Sequence, residues 1–179
     1  ERFDLAVVAT GPRRERSLSG AGFQKFFGAE VLLSQPHGIR WPVVMDAKVE
    51  QQDGLRFFYL LPLDERRLLV EDTRFSDAST LNRDALRREV ERYMDRAGFR
   101  VEKYERLEAG VLPLPYDSHT QDATLSPPPT RLNGGAVVYG GYAGGWFHPI
   151  TGYSLPLAAR LAEAIASGQP LQMRHLFNR

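Results

Sequence analysis

The chain has no cysteine, and that one absence removes disulfides, thiolate zinc sites and thiol catalysis together. It fits a reducing, cytoplasmic setting. No apolar run approaches the roughly 20 residues of a membrane-spanning helix. Charge of one sign is also lacking: the net charge is +1, with no basic stripe, which argues against nucleic acid as the main partner. Further absences concern motifs. The 4 histidines, His37, His119, His148 and His175, show no metal spacing, and Glu30, Asp46 and Glu50 are too scattered to nominate a metal site. No Gly-x-Ser-x-Gly nucleophile elbow occurs. No Walker loop or Gly-x-Gly-x-x-Gly fingerprint occurs either, and no internal repeat.

What remains is an ordinary globular composition. With 179 residues, 42% of them hydrophobic, the chain can bury a real core. Leu5-Ala6-Val7-Val8-Ala9, stopped by Thr10-Gly11-Pro12, reads as a buried parallel strand. The run Arg13, Arg14, Arg16 reads as a solvated loop. A chain that enters its core within three residues and opens without methionine is expected to be a fragment of a longer protein.

From Gly22 to Phe75 the pattern predicts strands: Phe23–Phe27 leading into Glu30–Leu33, then Trp41–Val49, Leu55–Leu63 and Arg67–Thr73. Asp53-Gly54 is a hairpin signal. If Asp64-Glu65 is a two-residue loop, Leu63 pairs with Arg66 and Glu71 lies opposite Phe58. Leu69, Glu71 and Thr73 then share a face with Arg56, Phe58 and Leu60. A helix is expected over 82–97, with Ala85, Leu86, Val90, Tyr93, Met94 and Ala97 as its apolar stripe, Asn82 as its cap and Gly98 as its stop. Phe99–Leu107 can be another strand, Val111–Pro115 is extended, and 118–133 is a connection. Near the end, Ala136–Tyr139 reads as a short buried strand. A glycine-rich corner, Gly140 to Gly152, leads into a helix from Ser154 to Ser167, where Pro156 is tolerable in the first turn.

Two features can carry chemistry. A strand, a glycine loop and a helix N-terminus form a ligand corner, because glycine lets backbone approach closely and free N–H groups attract phosphate or an electron-rich ring. Tight backbone packing fits the same residues. Glu71-Asp72 closes an apolar strand. Adjacent strand residues point to opposite faces, so the two should not act as a close pair. A carboxyl forced into an aromatic-lined face holds its proton and can act as a general acid; a solvated strand end is the plainer reading. His148 reads as a positioned hydrogen-bonding group.

Several stretches in order carry a resemblance. They are Gly22–Phe26, Met45-Asp46-Ala47, Arg56–Leu63, Leu68–Thr73, Gly110–Pro113 and Phe147–Pro156. Together they resemble bacterial lycopene β-cyclases, which close the end rings of a linear carotenoid. The resemblance implies an α/β flavoprotein: part of a glutathione-reductase-like FAD-binding domain with an inserted mixed or antiparallel β-sheet substrate domain. Residues 1–20 would belong to the FAD-binding domain, 21–115 to the substrate sheet with one helix, 116–133 to a connecting loop and 134–179 to the return into the FAD-binding domain. It implies Glu71 as the acid, with Asp72 orienting it or binding backbone donors. Gly11, Gly140, Gly141, Gly144, His148, Pro149, Thr151 and Gly152 would contact the flavin, and Phe58, Trp146 and Phe147 the polyene. Reduced FAD, an NAD(P)H donor, lycopene, and a peripheral place at the inner face of the cell membrane follow by the same route.

The departures are specific. The family's pyrophosphate-binding fingerprint and its C-terminal helical region are missing. Tyr142 and Ile150 stand where the family usually has arginine and threonine. Inactivity of the piece alone is expected. Another FAD-dependent oxidoreductase of the same fold (geranylgeranyl-reductase-like or hydroxylase-like) and a non-catalytic carotenoid-binding remnant remain open alternatives.

Overall fold

The structure is a computed structural model and describes residues 3–11, 21–115, 130–132, 135–148 and 150–167. The chain divides into two compact units, Glu1–Ala21 with Leu114–Arg179, and Gly22–Pro113.

The second unit is built on a five-stranded sheet. Its strands are β2 (Ala21–Leu33), β3 (Val43–Asp46), β4 (Arg56–Pro62), β5 (Arg67–Ser76) and β6 (Val101–Pro115), in the order β3-β4-β5-β2-β6. The pairs β3–β4, β4–β5 and β2–β5 are antiparallel. Two expected strands, Phe23–Phe27 and Glu30–Leu33, are one continuous strand, and Phe99–Leu107 runs on through the proline-extended stretch as β6. The expected strand over 41–49 shrinks to Val43–Asp46. Met45 there takes a positive φ of 62°, which breaks regular extension.

One helix, α1 (Arg83–Arg96), covers one face of this sheet. Leu86, Val90 and Met94 bury against Phe27, Ala29 and Val31 of β2, Phe58 and Leu60 of β4, and Leu68 and Val70 of β5. Each such side chain contributes roughly 1.5–3 kcal/mol of burial free energy. The predicted cap holds: the Asn82 side chain accepts from the Ala85 N–H at 3.0 Å, and Gly98 leaves the helix at φ 78°. Asn82→Ala should lower stability by about 1 kcal/mol, read as an earlier thermal midpoint.

The β4–β5 connection differs from expectation by one residue. The Leu63 N–H donates to Arg67 O at 2.9 Å, so the loop is Asp64-Glu65-Arg66. The Asp64 carboxylate accepts from the Arg66 and Arg67 amides at 2.9 and 2.7 Å and closes that longer turn. The register moves accordingly: Tyr59 lies opposite Glu71, and Phe58 opposite Asp72. A one-residue slip sends every side chain to the other face. Arg56, Phe58 and Leu60 therefore share the helix-covered face with Asp72, whereas Glu71 and Thr73 share the opposite face with Phe57 and Tyr59.

In the first unit, β1 (Leu5–Val8) is a parallel strand, as expected, and its partner is β8 (Gly135–Tyr139). The expected burial of β1 is not seen: Leu5 and Val7 are 40% and 49% exposed, since β1 is an edge strand. Within the stretch expected to be a connection, residues 130–132 form β7, antiparallel to β8; residues 116–129 lie outside the described residues. A 3-10 turn (Gly141–Gly144) and helix α2 (Leu155–Ser167) follow, and Trp146, Leu157 and Leu161 form a local core.

Candidate functional site

The two adjacent carboxylates have different fates. Asp72 is fully buried on the helix-covered face. Arg56 grips it with two bonds, Nε to Oδ1 at 3.0 Å and Nη2 to Oδ2 at 2.9 Å. Arg74 adds contacts of 3.3 and 2.8 Å, and Arg56 also reaches Glu89 at 3.0 Å. The expectation that Asp72 orients Glu71 or binds backbone donors is therefore corrected. It is the acceptor of a buried guanidinium network, and the pleat points it away from Glu71.

Glu71 sits on the other face, partly buried. Burial works against its charged form and holds its pKa above the ordinary 4.5. The Thr73 hydroxyl donates to its Oε1 at 2.8 Å and pulls the other way, while the charges of Glu108 and Asp72 reinforce burial. Beneath it on β2 lies Gly28, its register partner. A Cβ on Gly28 would stand 3.4 Å from Glu71 Oε2 and 3.3 Å from Glu108 Oε1. Glycine thus leaves open the space over which these two carboxylates meet. Sequence reasoning missed Glu108, because its only local signal was a charge in an alternating strand.

The neighbouring aromatics are reassigned too. Phe58 is fully buried and stacked on Tyr93, with ring centroids 4.1 Å apart, inside the core under α1. It does not share Glu71's face. Phe57 and Tyr59 do, packed edge to face at 5.3 Å.

A protonation change at Glu71 is linked to stability. Between 4.5 and the higher folded pKa, the folded chain keeps a proton that the unfolded chain has lost. The favourable term is thus complete below 4.5 and is lost as pH rises through the folded pKa. Glu71→Gln removes this dependence, so the variant's thermal midpoint should gain on the parent's as pH rises through that window. An unchanged difference across pH would contradict the burial assignment.

In the first unit, parallel neighbours β1 and β8 end on the same edge, followed by Gly11 and by Gly140-Gly141. Gly141 (φ 55°) and Gly11 (φ 83°) need left-handed backbone, and a Cβ on either would meet nothing within 4 Å. Gly140 and Gly144 serve packing: a Cβ on Gly140 would press on Val7 and Leu161, and one on Gly144 would lie 1.9 Å from Tyr139 O. His148 is an exposed turn former whose Nδ1 accepts from the Ile150 and Thr151 amides at 3.3 and 3.4 Å. Thr151 Oγ1 accepts from the Tyr153 amide at 3.4 Å, and Gly152 takes φ 72° in the same turn. Pro149 lies outside the described residues.

Trp146 is a core residue, its indole N–H donating to Tyr139 O at 3.0 Å. Phe147 is buried and stacked on Tyr142 at 4.0 Å. The Tyr142 hydroxyl is buried without a hydrogen-bond partner among the described residues, and burial pushes its pKa up to about 12. Among the described residues no cluster could hold a metal ion, and no helix is long and apolar enough to cross a membrane.

A mixed α/β chain with an antiparallel sheet that carries a desolvated acid, together with a glycine-rich corner at the end of a parallel strand pair, defines the class. The family model for "Lycopene cyclase protein" matches residues 2–175. The chain belongs to the lycopene cyclase family. It is 42% identical over 166 residues to a lycopene beta-cyclase of Paracoccus sp. (strain N81106 / MBIC 01143), covering 89% of this chain and 40% of that protein. Lycopene beta-cyclases of Pseudescherichia vulneris (42% identity; 84% of this chain, 37% of that one) and Pantoea ananas (40% identity; 90% and 40%) are similar at the same level. The chain thus spans about 40% of the length of these relatives. Among solved structures, a geranylgeranyl bacteriochlorophyll reductase-like protein from Thermoplasma acidophilum covers 94% of this chain and 44% of its own, at 13% identity and a TM-score of 0.49.

Proposed function

We propose that this chain is the acid-bearing and flavin-ring portion of a lycopene β-cyclase. The reaction adds a proton to the terminal alkene of lycopene, closes a six-membered ring on the resulting cation and releases a proton. Substrate and product are isomers, so no net oxidation occurs. The observation that carries this reading is Glu71: a partly buried carboxyl, its pKa raised by desolvation, on a face shared with Phe57 and Tyr59. A neutral carboxylic acid is the species that can deliver a proton to an alkene. Aromatic faces stabilise a nearby cation by about 0.5–2 kcal/mol each, so Phe57 and Tyr59 assist without carrying the barrier.

A flavin fits the first unit's corner. The open space at Gly11 and Gly141 gives a ring or its ribityl chain close access to backbone. The Tyr142 hydroxyl supplies a buried hydrogen-bonding group that has no partner among the described residues. Those three residues would hold the flavin, with the 148–152 turn beside the start of α2. Reduced FAD, renewed by NAD(P)H, would supply an electron-rich ring to oppose the carbocation's charge. Because lycopene is insoluble in water, the whole enzyme would work peripherally at the inner face of the cell membrane.

The test is carotenoid production in lycopene-accumulating bacteria by full-length parent and Glu71→Gln proteins. A product of unchanged mass bearing cyclised ends supports the reading. Added hydrogens or oxygen would point to an oxidoreductase of the same fold, and bound carotenoid without turnover to a remnant.

A further inference from the structure

Glu108 enters neither the ring-closing step nor the sheet's core, yet it meets Glu71 across the gap at Gly28. Its Cγ and Oε1 stand 3.1 and 3.3 Å from the point where a Gly28 Cβ would lie, and Glu71 Oε2 stands 3.4 Å from that point. A side chain at position 28 would press on both carboxyl groups. On β6 the Arg106 guanidinium lies 3.7 Å from Glu108 and 3.4 Å from Glu30, so one positive charge stands beside both acids.

We propose that Glu108 is a positioning residue for Glu71, a fixed negative charge brought over Gly28 that keeps the transferable proton on Glu71 until the alkene takes it. The proposal rests on the reading of Glu71 as the acid. A carboxylate facing Glu71 across the Gly28 gap opposes the loss of the Glu71 proton, and the Glu108 charge acts on Glu71 in that sense. Arg106 distinguishes the two: Glu108 stands beside the guanidinium, whereas Glu71 is the more buried carboxyl and is bonded by Thr73. The charged and titratable groups around Glu71 are Tyr59 opposite it on β4, Glu30 two residues past Gly28 on β2, and Glu108 and Arg106 on β6. Asp72 on its own strand points to the other face and is neutralised by Arg56 and Arg74. Glu108 is the carboxylate that shares Glu71's gap.

The experiment uses the full-length protein and follows the infrared carboxylic-acid band that Glu71→Gln abolishes, together with the pH profile of turnover on lycopene-loaded vesicles. In Glu108→Gln the Glu71 band should vanish at lower pH than in the parent. The alkaline limb of the turnover profile should move down with it, while turnover on the acid side is kept. Glu108→Asp, which keeps the charge, should restore part of the shift. Arg106→Gln, a milder surface change, should move the band the opposite way, to higher pH. Identical titration of the band in parent, Glu108→Gln and Arg106→Gln overturns the proposal. Normal turnover by Glu71→Gln instead removes the functional reading beneath it, and the two failures are separable because the band is read without substrate.

Discussion

Glu71→Gln in the full-length protein should lower lycopene cyclisation by at least about 10²-fold, the lower bound for a lost general acid. The amide keeps the size and the Thr73 contact but has no proton of suitable acidity. The fold should not suffer, since the removed group is a carboxyl that burial disfavours when charged. The variant should therefore accumulate normally, resist heat at least as well as the parent at neutral pH, and leave lycopene unconverted. That combination separates a catalytic role from a structural one, because a structural residue would lose protein and activity together. Pigment extraction from lycopene-producing bacteria, with immunoblotting for protein level, reads both. Wild-type amounts of cyclised product would end the assignment.

Arg56→Met should have the reverse profile. Arg56 and Asp72 are 3% and 0% exposed, and removing the guanidinium leaves a carboxylate in the core with Arg74 as its remaining partner. Breaking one side of a buried ion pair costs about 3–5 kcal/mol; Arg74 should hold the loss near about 3 kcal/mol, the lower end of that range. For a chain of this size that corresponds to a fall in Tm of roughly 6–12 °C. In the full-length protein, little soluble material should survive at growth temperature, but the surviving fraction should turn over lycopene at a rate near the parent's, because this network lies on the face away from Glu71. A parent-like Tm would mean that the network contributes little, and a low specific rate in folded protein would tie Asp72 to the chemistry after all.

These two residues show how far a sequence can be read and where reading stops. The helix over 83–96 was legible except at its end, where Ala97, expected in the apolar stripe, is the exposed C-cap: the stripe repeats at helical spacing, Asn82 can accept from the third amide onward, and Gly98 can take positive φ. The glycine corner was legible as a place but not as a set of roles. Gly140 and Gly144 are glycine because neighbouring atoms occupy the position of a side chain, whereas Gly141 and Gly11 face open space, and only coordinates distinguish the two causes. Trp146 and Phe147 looked like polyene-lining residues and proved to be packed within their own unit, since an aromatic side chain buries large area wherever a core will take it.

The sequence by itself determined the family, through motifs in a fixed order, and the presence of a carboxyl on each face of β5, through the period-2 pleat. Which carboxyl faces which way was a tertiary decision. It turned on the Asp64 side chain, which binds two amides and lengthens one loop by a residue. That residue put Asp72 under α1 with two arginines and left Glu71 with Phe57, Tyr59 and Thr73. Glu108, 37 positions further along, joined Glu71 only because β2 lies between β5 and β6 and carries glycine at the crossing point. Local pattern fixes the face a residue can occupy relative to its neighbours; pairing between distant strands fixes what it meets there.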